Sequence, residues 1–217
     1  MLSKKTSEAG MGTSQDEASE EEQHNNAVPP TRPQIRFVVI AAFYVMLILL
    51  SSTFLRIPLL IPTQWVSVVF FVLITPIFLY SLSVMVRPWL VITITFPSLA
   101  FSELLWCGVY GCGGELGVNL ALAFSSWGIA SLIISFLRTK NEIIAMVIGG
   151  FWTFLGLLLP ATIYYALILN WNALYMVIYA LLTMSQNLML IPLALLLNYS
   201  LRKLLHIQYL DELLHLK

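Results

Sequence analysis

The sequence predicts an all-α fold: a polytopic membrane protein built as a six-transmembrane-helix bundle, with its N- and C-termini in the cytoplasm. The 217 residues are 59% hydrophobic and 10% charged, and their mean hydropathy of +0.86 lies outside the range of soluble globular chains. The apolar residues come in runs of about twenty, the length that a helix needs to cross a hydrocarbon core of ~30 Å. The positions of the basic residues indicate the orientation of these runs.

The first segment, residues 1–34, is predicted to be a disordered acidic cytoplasmic tail. It holds six of the eleven acidic residues of the chain: Glu8, Asp16, Glu17, Glu20, Glu21 and Glu22. With several prolines and few apolar side chains, it buries too little surface to offset the entropy of ordering. A signal peptide is not expected, because the first apolar run begins only at Phe37.

Residues 35–205 are predicted to form the transmembrane domain. Apolar runs bounded by charge, proline or glycine give six helices: 37–55, 66–86, 89–109, 117–137, 143–169 and 173–201. The connections are short, which favours antiparallel neighbours in one bundle. Residues 206–217 are predicted to be a short amphipathic cytoplasmic tail, because Leu204, Ile207, Leu210 and Leu214 recur at helical intervals.

The orientation follows from lysine and arginine, which are retained on the cytoplasmic side during insertion. If the N-terminus is inside, the inner stretches hold nearly all of the basic residues that flank the spans: Arg32, Arg36, Arg87, Arg138, Lys140, Arg202 and Lys203. The outer connections hold only Arg56. We therefore expect the connection after the third helix, which carries Glu115, to lie outside and to be solvated.

Glu103 is the first candidate for function, because it lies about 14 residues into the third span, ~20 Å along the helix. A carboxylate at membrane depth costs at least ~2.5 kcal/mol and usually faces a partner, a cavity or a ligand. The alternative is a protonated glutamic acid that hydrogen-bonds a neighbouring helix, or one that reaches interfacial water.

The outer half of the domain is rich in rings with a polar edge, which are able to sandwich a flat ligand. These are Trp65, Trp106, Tyr110, Tyr164, Tyr165, Trp171, Tyr175 and Tyr179, with Asn119, Asn170 and Asn172 nearby. An interfacial aromatic belt is the competing explanation. From this set and Glu103 we predict six substrate contacts: Glu103, Trp106, Asn119, Tyr164, Tyr165 and Asn172.

Other features are less specific. The glycines between Gly108 and Gly117 permit a tight turn, and Pro58 and Pro62 stiffen an apolar outer loop that is placed to cover a cavity. Cys107 and Cys112 are interpreted as packing residues, with a disulfide as the alternative. All three histidines lie outside the apolar body, so we predict no metal site, no cofactor and no enzymatic activity.

Five stretches together resemble the substrate-binding S subunits of energy-coupling-factor (ECF) vitamin transporters. They are "IRFVVIAAFYVMLILL", "RIPLLIP", "PSLAFSELLWCGVYGCGGELGV", "WGIASLIISFLRTKNEIIAMVIGG" and "QNLMLIPLALLLNYSLRK". The resemblance implies high-affinity capture of a vitamin or cofactor precursor in an outward-facing pocket of a multi-pass protein of the cell membrane. It also implies a transmembrane coupling subunit and cytoplasmic ATPases as partners. Membrane lipid is expected around the bundle, and nucleic acid is not expected as a partner.

A second hypothesis is a non-catalytic structural or assembly membrane protein without a small-molecule substrate. The long acidic tail and the amphipathic C-terminus favour it, since both are suited to recruiting partners. An intramembrane enzyme is disfavoured, because the apolar body has no histidine and no Gly-x-Ser-x-Gly elbow.

Overall fold

The computed structural model describes residues 32–62, 67–111, 115–169 and 172–214, and most of them are helical. In chain order the elements are α1 (Arg32–Phe54), β1 (Ile57–Pro62), β2 (Ser67–Val72), α2 (Thr75–Met85), α3 (Pro88–Tyr110), α4 (Leu116–Leu137), α5 (Glu142–Ala161, continued by the π-helical stretch Thr162–Ile168), α6 (Ala173–Leu205) and a 3₁₀ helix (Leu210–Leu214). Residues from Pro33 onward form one compact unit. Residues 1–31 of the predicted tail lie outside the described residues.

Five of these helices are long and apolar enough to cross a membrane: α1, α3, α4, α5 and α6. They coincide with five of the six predicted spans to within about five residues at each boundary. Local sequence explains several of the boundaries. Pro88 begins α3 at a position where its missing N–H is not needed. Asn141 caps α5, because its side chain accepts a hydrogen bond from the Ile144 amide at 3.0 Å.

The segment 66–86, predicted as one helix, has a different structure. Ser67–Val72 is a strand that pairs antiparallel with Ile57–Pro62, and only Thr75–Met85 is helical. The strand is made of valine and phenylalanine in succession, which favour extended structure, and Pro76 in the first turn makes a favourable start for α2. The fold is therefore mostly helical with one β-hairpin, rather than all-α.

The short helix α2 lies in the middle of the bundle. Nine of its eleven residues are buried, and it packs against α4 and α6. Tyr44 of α1 and Ser81 of α2 share a hydrogen bond of 2.5 Å, and Ser81 donates to Asn198 of α6 at 2.5 Å. This chain of side-chain hydrogen bonds ties three elements together in the apolar interior, where an unpaired polar group is costly.

Helices α4 and α5 approach closely at Gly156. A Cβ atom at this position would lie 2.2 Å from the Ser125 carbonyl oxygen, so no other residue fits without a shift. Ser125 belongs to a π-helical stretch within α4, Phe124–Gly128, and its hydroxyl donates to the Gly156 carbonyl at 2.6 Å. Glycine at this position thus allows the two helices to pack closely.

At one end of the bundle the basic residues gather around the C-terminal segment. The guanidinium of Arg138 lies 4.4 Å from the ring centroid of Tyr209 and that of Arg202 lies 5.7 Å from it. Arg202 also pairs with Glu142 at 2.7 Å. Helix α6 ends before His206, which has a left-handed φ of 55°, so the predicted helical continuation into residues 206–217 is interrupted by a turn.

Candidate ligand-binding site

At the opposite end of the bundle, Arg56 and Glu103 form an ion pair. Arg56 directly precedes β1, and its Nη2 donates to Glu103 Oε1 at 2.5 Å. Its Nε donates to the Ser52 carbonyl oxygen, and its guanidinium lies 4.4 Å from the ring centroid of Trp106. Glu103 is 5% exposed. The partner of this carboxylate is therefore a guanidinium, rather than the protonated hydrogen bond or interfacial water that the sequence left open.

A cavity of about 280 Å³ opens beside this pair. Its wall combines two charged residues, one amide, five aromatic rings and several aliphatic side chains. The lining residues are Arg56, Val69, Phe71, Trp106, Glu115, Asn119, Leu122, Leu157, Ala161, Tyr165, Tyr175, Met176 and Tyr179. Few polar groups in a mostly apolar wall are typical of sites for small organic molecules.

A smaller cavity of about 80 Å³ adjoins the larger one and shares Arg56, Asn119 and Tyr179 with it. Of the two cavities, Glu103 and Trp127 line the smaller one and not the larger one. The indole Nε1 of Trp127 is buried and makes no hydrogen bond within the described part of the chain. The smaller cavity thus offers a donor that a bound molecule or a water can satisfy.

The β-hairpin forms one wall of the larger cavity. In β2, Val68 and Phe70 are buried, whereas Val69 and Phe71 line the cavity, as expected for side chains that alternate across a strand. The hydroxyl of Tyr175 in α6 donates to the Val69 carbonyl oxygen at 3.3 Å. This contact joins the hairpin to the last helix beside the cavity.

The opposing strand β1 lies away from the cavity, and most of it is exposed. It contains Pro58 and Pro62, which lack an amide donor and are tolerated on an edge strand. Leu60 is 68% exposed. The apolar outer loop predicted to cover a cavity is thus one strand of a hairpin, and the neighbouring strand supplies the cavity wall.

Glu115, expected to be solvated, is half-buried in the cavity wall. Its Oε2 accepts a hydrogen bond from the Tyr165 hydroxyl at 3.3 Å. Glu115 directly precedes α4. The start of that helix therefore directs its side chain toward the bundle rather than into the connection. Its position in the sequence, between glycines and outside an apolar run, gave no signal of this burial.

The six predicted substrate contacts lie in different places. Trp106, Asn119 and Tyr165 line the larger cavity, and Glu103 lines the smaller one. Tyr164 lines neither cavity and packs edge-on against Tyr165, with ring centroids 5.0 Å apart.

Asn172 also lies outside both cavities. It caps α6, because its side chain accepts a hydrogen bond from the Leu174 amide at 2.9 Å. The structure adds Arg56, Glu115, Tyr175 and Tyr179 to the cavity wall. Trp65, Asn170 and Trp171 lie outside the described residues.

Cys107 is disulfide-bonded, so its interpretation as a packing residue is wrong. The other cysteine of the chain, Cys112, lies outside the described residues. Asn119 Nδ2 lies 3.9 Å from Cys107 Sγ. The disulfide therefore lies close to an amide of the cavity wall and restrains the end of α3 that carries Trp106.

Among the described residues, no group of three or more His, Cys, Asp or Glu side chains is placed to hold a metal ion. Comparison of the chain with protein-family models, with curated proteins and with solved structures gives no match.

Proposed function

We propose that this chain is a membrane protein that captures a small organic solute, a vitamin or cofactor precursor, in the cavity beside Arg56 and Glu103. The observation that carries the proposal is the cavity of about 280 Å³, in which aromatic rings from four elements meet two charged side chains and an amide. Rings supply apolar contact area to a flat molecule, and the few polar groups fix its orientation.

The proposed arrangement in the cell membrane has six crossings and both termini in the cytoplasm. The segment 67–85 makes the second crossing in two halves. Six residues of strand cover ~20 Å and eleven residues of helix cover ~16 Å, which together exceed a hydrocarbon core of ~30 Å. The clustering of Arg138 and Arg202 at the end remote from the cavity supports an outward-facing cavity.

The proposed partners are a transmembrane coupling subunit and cytoplasmic ATPases, as the resemblance to ECF S subunits implies. In this arrangement the chain binds the solute from outside, and the partners supply the energy for its release inside. Lipid contacts the exposed apolar faces of the helices.

A thermal-shift screen of the purified chain against a library of vitamins and cofactor precursors tests the proposal. We expect at least one compound to raise the melting temperature, and Trp106→Ala to weaken its binding about tenfold or more, since losing the apolar contact of a large buried side chain costs roughly 1.5–3 kcal/mol. Trp89→Ala is the matched control, because Trp89 lies near the opposite end of the same helix. Equal losses from both variants, or no stabilising compound, would contradict the proposal.

A non-catalytic structural or assembly role is the second candidate. The Arg56–Glu103 ion pair favours it, because that pair also fixes the hairpin to α3 with no ligand involved. Under this alternative the chain co-purifies with subunits of a membrane complex and with no ATPase, and no compound in the screen stabilises it.

A further inference from the structure

The charges in the wall of the larger cavity do not cancel. Arg56 is balanced by Glu103 at 2.5 Å, so this pair adds no net charge. The second acidic residue, Glu115, has no basic side chain within ion-pair distance in the part of the chain that the structure describes. Its Oε2 accepts a hydrogen bond from the Tyr165 hydroxyl, and its Oε1 accepts none from the described residues. The wall therefore carries one uncompensated carboxylate.

A half-buried carboxylate without a counter-ion is unfavourable, because burial removes water that solvates the charge. A cation inside the cavity is attracted to the Glu115 carboxylate, and more strongly than in bulk water, because the effective dielectric constant of a protein site is lower. An anion is repelled by the same carboxylate, and the positive charge of Arg56 is already taken up by Glu103 and by the face of Trp106 at 4.4 Å.

The rings in the cavity wall favour the same sign of charge. Tyr175 and Tyr179 lie one helical turn apart in α6, with their planes within 5° of each other and their centroids 6.4 Å apart. Both line the cavity, together with Tyr165 and Phe71. Aromatic faces are electronegative and attract ammonium groups within about 6 Å of the ring centroid.

A bare metal ion does not suit this site. Divalent ions bind several carboxylate, carbonyl or imidazole ligands at once, whereas only one carboxylate, Glu115, is unpaired in the described wall. The cavity volume of about 280 Å³ also far exceeds that of an ion and matches a molecule with one or two rings.

We infer that the ligand is an organic cation: a flat ring that bears a protonated amine or a quaternary nitrogen, with Glu115 as its counter-ion and the tyrosines around its charged end. The inference rests on the proposed function and names the charge class of its substrate. In this arrangement the ring packs beside Trp106 and Phe71, which contact each other edge-on with centroids 6.0 Å apart, and Asn119 hydrogen-bonds its edge.

Three probes with the same indole ring and a two-carbon arm test the charge directly: tryptamine as the cation, tryptophol as the neutral alcohol and indole-3-propionate as the anion. Their dissociation constants are measured by calorimetry on the purified full chain. We expect tryptamine to bind about 10- to 100-fold more tightly than tryptophol, the range of a hydrogen bond to a charged group, and indole-3-propionate to bind weakest.

Glu115→Gln removes the charge and keeps the side-chain shape, so it should abolish the preference for tryptamine over tryptophol. Glu212→Gln is the control, because Glu212 is exposed and follows α6, at the end remote from the cavity. A preference for the neutral or anionic probe, or a cation preference that survives Glu115→Gln, overturns the inference. The comparison of probes on the unaltered chain decides the question even if the variant does not fold.

The outcomes separate this inference from the proposed function. If the vitamin library yields a ligand that is neutral or anionic, or that binds Glu115→Gln as tightly as the unaltered chain, only the charge assignment fails. If neither the library nor any probe binds, the capture function fails and the charge assignment fails with it.

Discussion

Arg56 and Glu103 are separated by 47 positions in the sequence, and their ion pair shows how the fold accommodates charge in an apolar interior. Side-chain exposure is 14% for Arg56 and 6% for Glu103. At such burial the desolvation of both charges offsets most of their attraction, so the pair fixes geometry more than it adds stability. Its geometric effect is to hold the start of the hairpin against α3, beside Trp106.

Breaking this pair on one side should destabilise the protein strongly. Glu103→Leu leaves the guanidinium of Arg56 buried without a counter-charge, and we expect it to lower the free energy of unfolding by ~3–5 kcal/mol. The double variant Arg56→Met/Glu103→Leu removes both charges and should recover most of that loss. Chemical unfolding in detergent, followed by circular dichroism, measures all three proteins.

The pair between Arg202 and Glu142 is the comparison, because its side chains are 23% and 22% exposed. Glu142→Leu should cost only ~1 kcal/mol or less, as is usual where solvent screens the charges. If the double variant is no more stable than Glu103→Leu alone, the cost does not come from an uncompensated charge and this account is wrong.

At the scale of elements, the cavity depends on three departures from a plain helical bundle. The hairpin Ile57–Pro62/Ser67–Val72 lies partly where a helix was predicted and supplies Val69 and Phe71 to the wall. The π-helical stretches Phe124–Gly128 and Thr162–Ile168 lie in the two helices that flank the cavity on another side. Such stretches often occur at functional sites, because they re-aim side chains within a helix.

The close contact of α4 and α5 gives a prediction at this scale. Gly156→Ala places a methyl group against the Ser125 carbonyl oxygen, so the helices must separate. We expect a loss of ~1–3 kcal/mol, as for overpacked cores, and weaker ligand binding because Leu157, the next residue, lines the cavity. Thermal unfolding and ligand titration of the same preparation measure the two effects.

Gly117→Ala is the matched control, since a Cβ at Gly117 meets no atom within 4 Å and alanine favours a helix over glycine by ~1 kcal/mol. It should leave the melting temperature unchanged or raise it. An equal loss from both substitutions would mean that helix contact at Gly156 is not the cause.

At the scale of the whole molecule, the chain has two unlike ends. One end holds the cavity, the hairpin and Glu115. The other holds Arg138 and Arg202, whose guanidiniums lie 4.4 Å and 5.7 Å from the ring centroid of Tyr209. This polarity matches the retention of basic residues in the cytoplasm, and it is the physical basis for the proposed outward-facing cavity.

Alkaline phosphatase fusions test the number of crossings, because this reporter is active only outside the cytoplasm. With six crossings, a fusion after Glu115 is active, whereas fusions after Lys140 and after Leu205 are inactive. If the segment 67–85 does not cross, five crossings remain, and Glu115 then lies on the same side as the N-terminus. An inactive reporter after Glu115 would therefore contradict the six-crossing arrangement.

The sequence predicted the long helices well, because their signals are local. Apolar runs of sufficient length, bounded by charge, proline or glycine, depend on neighbouring residues alone. The second span was predicted less well. Runs such as SVVFFV are apolar enough for a helix, and only pairing with a partner strand decides that they are extended.

The site was predicted in part for the same reason. Trp106, Asn119 and Tyr165 were identifiable as polar-edged side chains near one end of their helices. Glu115 was not, because its burial depends on how α4 packs against the residues around Tyr165 in α5. In the sequence, Arg56 stood out only as the single basic residue of the predicted outer connections. That exception to the orientation pattern was the one sequence feature that pointed to it.

By itself, then, the sequence determined that this chain is helical and apolar, where its long helices begin and end, and which end carries the basic residues, since all three depend on composition and on spacing along the chain. The tertiary structure alone decided that Arg56 neutralises Glu103, that a strand forms part of the cavity wall, and that Glu115 accepts a hydrogen bond from Tyr165. Those contacts join residues far apart in the sequence, and their energies exist only once the helices have packed.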